Sequence, residues 1–333
     1  MRKTLTIRIV VTAMVFFLSA CSGKGNTPPA QNVPIVFGAY ATSIEEPWDG
    51  VIHAALLKAQ ADGRILYTWE DAIGYSGEME HVLRKQAGSD TPPDIIFGDA
   101  FGNEEAVRAV AAQYPDIAFV FGSSLSPSEP NLSVFDNWIH EPAYLSGLIA
   151  GRMTKSNVVG VVAGFPVPEV NRIVNAFIEG VHEANPDAKV LVDFINSWYD
   201  PEIARSTADA QVSAGADVIF AERFGAHEAA AEHGVWAIGN MSDQNSIAPD
   251  TIITGPVWHM EPTVDYMINQ VIAGVYTAQD LKDFSSMAKG GASLAPYHGF
   301  EEILPPSLKE LVASRQTEII HGLFRVPINE NIP

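Results

Sequence analysis

The 333-residue chain has a single cysteine, Cys21, so no intramolecular disulfide can staple its fold. Basic residues are scarce, 20 Lys and Arg against 40 Asp and Glu. An acidic surface without a Lys/Arg cluster repels nucleic acid and anionic lipid, and it disfavours phosphate or carboxylate ligands. Nucleic-acid binding is excluded on that ground. No strand-like run is followed by a Gly-rich dinucleotide or phosphate motif; "VVAGFPVPEV" and "FGDAFGNEEA" lack the Gly pattern. No G-x-S-x-G nucleophile elbow occurs. "HEAAAEH" has His227 and His233 six residues apart, on different faces of a helix, which reads as surface helix rather than metal site. Paired acids such as Glu45-Glu46 and Glu301-Glu302 read as solvated loops. With no acid–base pair, no metal set and no cofactor motif, the sequence argues against an enzyme and implies neither cofactor nor metal.

What is present begins with processing information. Arg2, Lys3 and Arg8 precede the apolar run Ile9 to Leu18, which is too short for a membrane-spanning helix of about 20 residues. "LSAC" closes that run and resembles a lipobox, so residues 1–20 are expected to be a signal peptide and Cys21 the lipid-modified N-terminus. Residues 21–34, polar and rich in Gly and Pro, read as a tether. Removing Arg2, Lys3 and Arg8 leaves 17 basic against 40 acidic residues, a net −23. About 300 residues remain from Ile35 onward, more than one ordinary core, so two domains are expected.

Short runs rich in Val, Ile and Phe alternate with segments of helical period. "PIVFGAY", "RILYTWE", "DIIFGD", "IAFVFGS" and "LSVFDN" predict strands, and "PWDGVIHAALLKAQADG", "SGEMEHVLRKQAG" and "NEEAVRAVAAQYP" predict helices between them. After Asn137 the alternation starts again, from helix "PAYLSGLIAGRMTKS" to strand "TIITGPV" and helix "MEPTVDYMINQVIAG". Near-continuous apolar strands alternating with helices predict parallel sheets covered on both faces. Two successive series predict two similar α/β lobes. The segment 276–310 carries no clear pattern, and the tail from Lys289 reads as less periodic.

Ligands of open α/β sheets bind beyond the carboxyl ends of the strands. Those ends carry Trp48, Phe101-Gly102, Phe165 with Glu169, Trp198-Tyr199, Glu222-Arg223-Phe224, Asp243 and Trp258-His259. One such aromatic is ordinarily a cap on the core. Their recurrence, joined by single acids, predicts a planar, neutral or weakly basic ligand held by stacking, with carboxylates accepting from its N–H groups. In "FINSWYDP", Asp200-Pro201 read as N-cap and first-turn proline of a helix, Trp198 as facing the cleft, and Tyr199 as packing on the fold.

The motifs "EPAYLSGLIAG", "VGVVAGFPVPEVNRIVNAFIEGV", "VDFINSWYDP" and "GADVIFAE", in this order, resemble the basic membrane protein family of ABC-transporter substrate-binding lipoproteins, which includes purine nucleoside receptors. The resemblance implies an α/β type I periplasmic-binding-protein fold, two Rossmann-like lobes joined by three crossovers near Asn137, Pro256 and Ser286. Residues 35–137 with 256–285 would form the N-terminal lobe and 138–255 with 286–333 the C-terminal one. Together with the strand-end reading, it gives an expected ligand set of Trp48, Phe101, Gly102, Asn137 at the hinge, Phe165, Glu169, Trp198, Glu222, Asp243 and Trp258. Two departures bear on the ligand. The first loop is "SIEEPWDG" rather than a "DGGFND"-like loop, and "GPVWHMEP" puts Trp258-His259 where a ribose-binding Lys is common. Both favour a free nucleobase such as adenine over a nucleoside. A flavin-like heterocycle, or a signalling receptor of the same fold, are the alternatives. The implied partners are a small-molecule purine-type ligand, an ABC permease and a membrane through a lipid anchor at Cys21, with the protein acting as a monomer.

Overall fold

The computed structural model describes residues 33–333. The expected signal peptide, Cys21 and nearly all of the tether lie outside them. The first series is β1 (Ile35–Ala39), α1 (Pro47–Ala61), β2 (Leu66–Glu70), α2 (Glu78–Ala87), β3 (Ile95–Asp99), α3 (Glu104–Ala111), β4 (Ala118–Gly122) and β5 (Leu132–Phe135). The second is α4 (His140–Met153), β6 (Val158–Ala163), α5 (Pro168–Ala184), β7 (Lys189–Phe194), α6 (Pro201–Ser213), β8 (Val218–Ala221), α7 (Ala226–His233), β9 (Trp236–Ile238) and β10 (Ile252–Thr254).

Each series closes one five-stranded sheet, β2-β1-β3-β4-β5 and β10-β9-β8-β6-β7. Read from β7, the second has the same order as the first, and every neighbouring pair in both is parallel. This is a doubly wound α/β fold with two parallel sheets, as the alternation predicts. The switch points, where helices on either side diverge, lie between β1 and β3 and between β6 and β8. The residues of β3 and β4 are all buried, which accounts for their unbroken apolar runs.

Local chemistry starts the helices where the site needs them. Glu46 caps α1, accepting from the backbone N–H of Trp48 at 2.8 Å and of Asp49 at 3.2 Å, with Pro47 in the first turn. Asp200 caps α6 by accepting from Ile203 N–H at 3.0 Å. Helix α4 is buried on nearly every side, between α5, the later helix α9 (Pro306–Ile320) and the short strands β11 (Pro256–Trp258) and β12 (Ala292–Leu294). Its approach to α5 is backbone to backbone: a Cβ on Gly147 would lie 2.1 Å from the Phe177 carbonyl oxygen, and one on Gly180 2.1 Å from that of Tyr144.

Three passages carry the chain between the sheets. After β5, residues 136–139 lead to α4. The expected single strand "TIITGPV" breaks at Gly255, where a Cβ would strike the Gly239 carbonyl at 2.4 Å; β11 then leads to α8 (Glu261–Ile272), which packs on α1. A bridge from Asp280 to Val134 extends the edge of the first sheet before residues 285–291 lead back to β12, antiparallel to β11. The tail is more regular than its composition suggests. Helix α9 buries Leu308, Val312 and Ile319 against α4, an amphipathic stripe hidden by the surrounding Pro and Gly. One apolar core runs through the inner faces of both halves, including Val36, Phe97, Ile149, Phe177 and Phe220.

Candidate functional site

A cavity lies between the carboxyl ends of the two sheets. Thr42, Glu46, Trp48, Tyr75, Asp99 and Phe101 bound it from the first series, and Glu169, Trp198 and Arg223 from the second. They stand after β1, β2 and β3 and after β6, β7 and β8, flanking both switch points. The space they bound is about 350 Å³, part of it open to solvent.

Three aromatic rings form the apolar wall. Trp48 meets Phe101 edge-on, centroids 5.5 Å apart at 85°, and Phe101 lies 6.3 Å from Trp198. The turn after β7 aims Trp198 here: Asn196 takes a left-handed backbone, φ 54°, which Asn tolerates better than most residues. Tyr199 turns the other way and packs near Phe224, at 6.2 Å.

The polar wall is acidic with one cation. Arg223, 5% exposed, forks onto the Glu222 carboxylate at 2.6 and 3.0 Å and donates to the Trp198 carbonyl at 3.1 Å. Its third neighbour is Glu46 across the cavity, at 3.6 Å, so one ion pair already spans the two sheets. Burial alone would lower the Arg223 pKa, but Glu222 and Glu46 reverse this and hold the guanidinium charged. Glu46 is itself raised by burial, with Arg223 opposing. Asp99 is pushed well up by burial and then by Asp49, while its Oδ1 accepts from Phe101 N–H at 2.9 Å. Burial, then the Glu46 charge, raise Asp49 to about 8; it accepts from the Thr42 hydroxyl at 2.6 Å. Burial, then Asp136 and Glu222, raise Glu169 to about 8. Glu169 Oε1 and Trp48 Nε1 are buried without a hydrogen-bond partner, one acceptor and one donor available to a guest. Such a site suits a flat molecule rich in N–H groups, and it offers as donors the indole, the guanidinium and the O–H of any carboxyl that holds its proton.

Of the ten residues expected from the sequence, Trp48, Phe101, Glu169 and Trp198 line the cavity. Glu222 stands behind Arg223, accepting from Gly164 N–H at 3.0 Å. Gly102 lies on the outer rim with φ 82°, where a Cβ would strike the Tyr75 ring at 2.7 Å. Asn137 is wholly buried between the halves, its amide donating to the Met241 sulfur at 3.2 Å. Phe165 packs on the far side of Trp198, centroids 4.8 Å apart. Asp243 is exposed and paired with His298 at 2.8 Å. Trp258 is not at the rim: its indole N–H donates to Ser285 Oγ at 2.9 Å and its ring backs Trp48 at 4.8 Å. It supports the wall behind Trp48 and does not line the cavity, so its presence there does not favour a base over a nucleoside.

Thr42, Glu46, Tyr75, Asp99 and Arg223 escaped the sequence reading. Glu46 is not solvated but 4% exposed; an acid directly before Pro at a helix start was the available signal. Arg223 stood beside Glu222 in "AERF", and only its side-chain direction decides which of the two faces the cavity. His227 is likewise buried rather than on the surface, edge-on to Phe224 at 5.0 Å, while His233 is exposed beside Asp209. Among the described residues no group of His, Cys, Asp and Glu has metal-binding geometry.

Residues 42–282 match the model of the family described as "ABC transporter substrate-binding protein PnrA-like". The chain belongs to this PnrA-like family. It is therefore a substrate-binding protein of an ABC transporter and not an enzyme. The chain is similar to the "Purine-binding protein" of Brucella abortus, 28% identical over 80% of this chain and 74% of that one. The "Putative ABC transporter glucose-binding protein" of Haloferax volcanii is 36% identical over 54% of this chain. That alignment spans 46% of the Haloferax protein, less than half its length. A solute-binding protein from Aeropyrum pernix K1 has the same fold, with a TM-score of 0.75, 18% identity, and coverage of 89% of this chain and 94% of that one. No helix among the described residues is long and apolar enough to cross a membrane.

Proposed function

We propose that this substrate-binding protein captures a purine, a free nucleobase such as adenine in preference to a nucleoside, for delivery to an ABC permease. The observation that carries this reading is the composition of the cavity: four aromatic rings including that of Tyr75, three buried carboxyls and one guanidinium already paired. Trp48, Phe101 and Trp198 would hold the ring faces. Glu46, Asp99 and Glu169 would accept from its N–H groups, and Arg223 and the Trp48 indole would donate to ring nitrogens. Hydrogen bonds in such a site discriminate chiefly by penalising a guest that leaves a buried group unpaired. The enclosed space between the walls is about 20 Å³, little more than room for one water molecule, so the two walls would have to part to admit any ring.

Residues 35–137 with 256–285, and 138–255 with 286–333, would move as two lobes. Phe101 and Trp198 would come from opposite lobes; their centroids are 6.3 Å apart with the planes tilted by 59°, so a flat ring would enter between them only as the lobes part and the rings turn toward parallel. The protein would work outside the cytoplasm as a monomer, held to the membrane by lipid on Cys21. Calorimetry of ligand-stripped protein with adenine, guanine, hypoxanthine, adenosine, inosine and glucose tests the reading. Heat is expected with a purine base and less with its nucleoside. No heat with any purine overturns it, and heat with glucose alone assigns the site to a sugar.

A further inference from the structure

Outside the cavity, the least ordinary polar arrangement is built on Arg172. This side chain is 2% exposed and lies on α5 one turn after Glu169. It donates to Asp136 Oδ2 at 2.7 Å and to Glu330 Oε1 at 2.7 Å, and its guanidinium carbon sits 4.4 Å from the Trp138 ring. Glu330 belongs to the segment after Val326, which is laid along α5. Asn171 donates to the Glu330 carbonyl at 3.0 Å, and Asn175 to the carbonyls of Asn329 and Asn331 at 2.9 and 2.8 Å.

Asp136 opens the first passage between the sheets. Its carbonyl accepts from Ser285 Oγ at 2.6 Å, in the third passage. Ser285 Oγ in turn accepts from the indole of Trp258, in the second passage, and Trp258 backs Trp48 on the cavity wall. An unbroken set of contacts thus joins the 327–333 segment to the cavity through all three passages, by way of three buried polar contacts. A buried ion pair gives little net stability but strongly penalises any state that separates its members. Placed at a hinge, such a pair biases which arrangement of the passages is populated.

We propose that Arg172 and Glu330 are positioning residues for ligand capture: clamped by the 327–333 segment, Arg172 holds Asp136, and through Ser285 and Trp258 sets the stance of Trp48 in the cavity. The proposal rests on reading that cavity as the ligand site. Neither residue touches the guest. The segment acts as a strap across the hinge, and loosening it alters capture from outside the cavity.

Two variants test this, a chain ending after Val326 and Glu330→Gln, the latter at a side chain 43% exposed and so compatible with folding. In ligand-free protein, amide exchange at 136–140, 256–260 and 283–288 is expected to quicken about tenfold or more while α6 and α7 exchange as before. Adenine affinity is expected to fall about 3- to 10-fold. Glu330→Gln combined with Ser285→Ala should be non-additive, a result a merely local role would not produce. Unchanged exchange at the three passages, or additive effects, overturns the proposal. If adenine gives no heat with the parent chain, the purine reading falls, and exchange in ligand-free protein still decides the strap.

Discussion

Glu169→Gln is the perturbation whose outcome follows most directly from the site. The carboxyl is 4% exposed, its Oε1 has no partner, and Asp136 and Glu222 add negative charge nearby. Its pKa of about 8 in the folded chain compares with about 4.3 for a free glutamate. Between those values the folded chain keeps a proton that the unfolded chain has released, so stability falls as pH rises. The loss is absent below about pH 4 and complete above about pH 8. For this one group the slope reaches at most about 1.4 kcal/mol per pH unit. Glutamine has nothing to lose, so the variant should match the parent near pH 5 and gain on it by about 2–3 kcal/mol by pH 7. The parent keeps a further decline from Asp49, also raised to about 8, and so will the variant. Urea unfolding of ligand-free protein at pH 5, 6, 7 and 8 reads both slopes. Parallel slopes for parent and variant would refute the assignment of a protonated Glu169.

Arg223→Met should destabilise by about 3–5 kcal/mol, because it strands the Glu222 carboxylate, whose side chain is fully buried, and Glu46 with it. The deficit should be larger at pH 8 than at pH 5, and equal denaturation midpoints for parent and variant would argue that the ion pair is solvated. Trp198→Ala removes a half-buried ring, so the melting temperature should move little while adenine dissociation strengthens about tenfold, roughly 1.4 kcal/mol of lost stacking and contact. Calorimetry checks it, and an unchanged dissociation constant takes Trp198 out of the site. Gly147→Ala forces α4 off α5 and should cost at least about 1–3 kcal/mol in thermal unfolding. A melting temperature within a degree of the parent would mean the helices part freely.

Trp198 and Trp258 illustrate the limit of strand-end reading. Both stand at strand ends, both are large aromatics, and only one lines the cavity. Trp198 was legible because Asn196 and the Asp200-Pro201 cap bracket it in a turn that has one exit toward the cleft. Trp258 was not, because its direction depends on Ser285, a residue 27 positions away in a segment with no periodicity. Trp48→Ala is a poorer probe than Trp198→Ala for the same reason: Trp48 is 8% exposed and carries Phe101 and Trp258 against it, so its removal damages packing as well as binding.

Local pattern alone determined the succession of strands and helices along the chain, the doubling of the α/β series, the acidic composition and the Asp200-Pro201 cap. Each depends on residues within a few positions of one another, where period, propensity and capping act. The tertiary structure decided which strand-end side chains converge. Glu46 became a buried partner of Arg223 only when two sheets met, 177 positions apart in sequence. Helix α9 was hidden because its stripe has meaning only against α4. The protonation of the cavity depends on that convergence: once burial removes the water that would have stabilised the ionised Glu169, and Asp136 and Glu222 come near it, its carboxyl holds its proton to about pH 8.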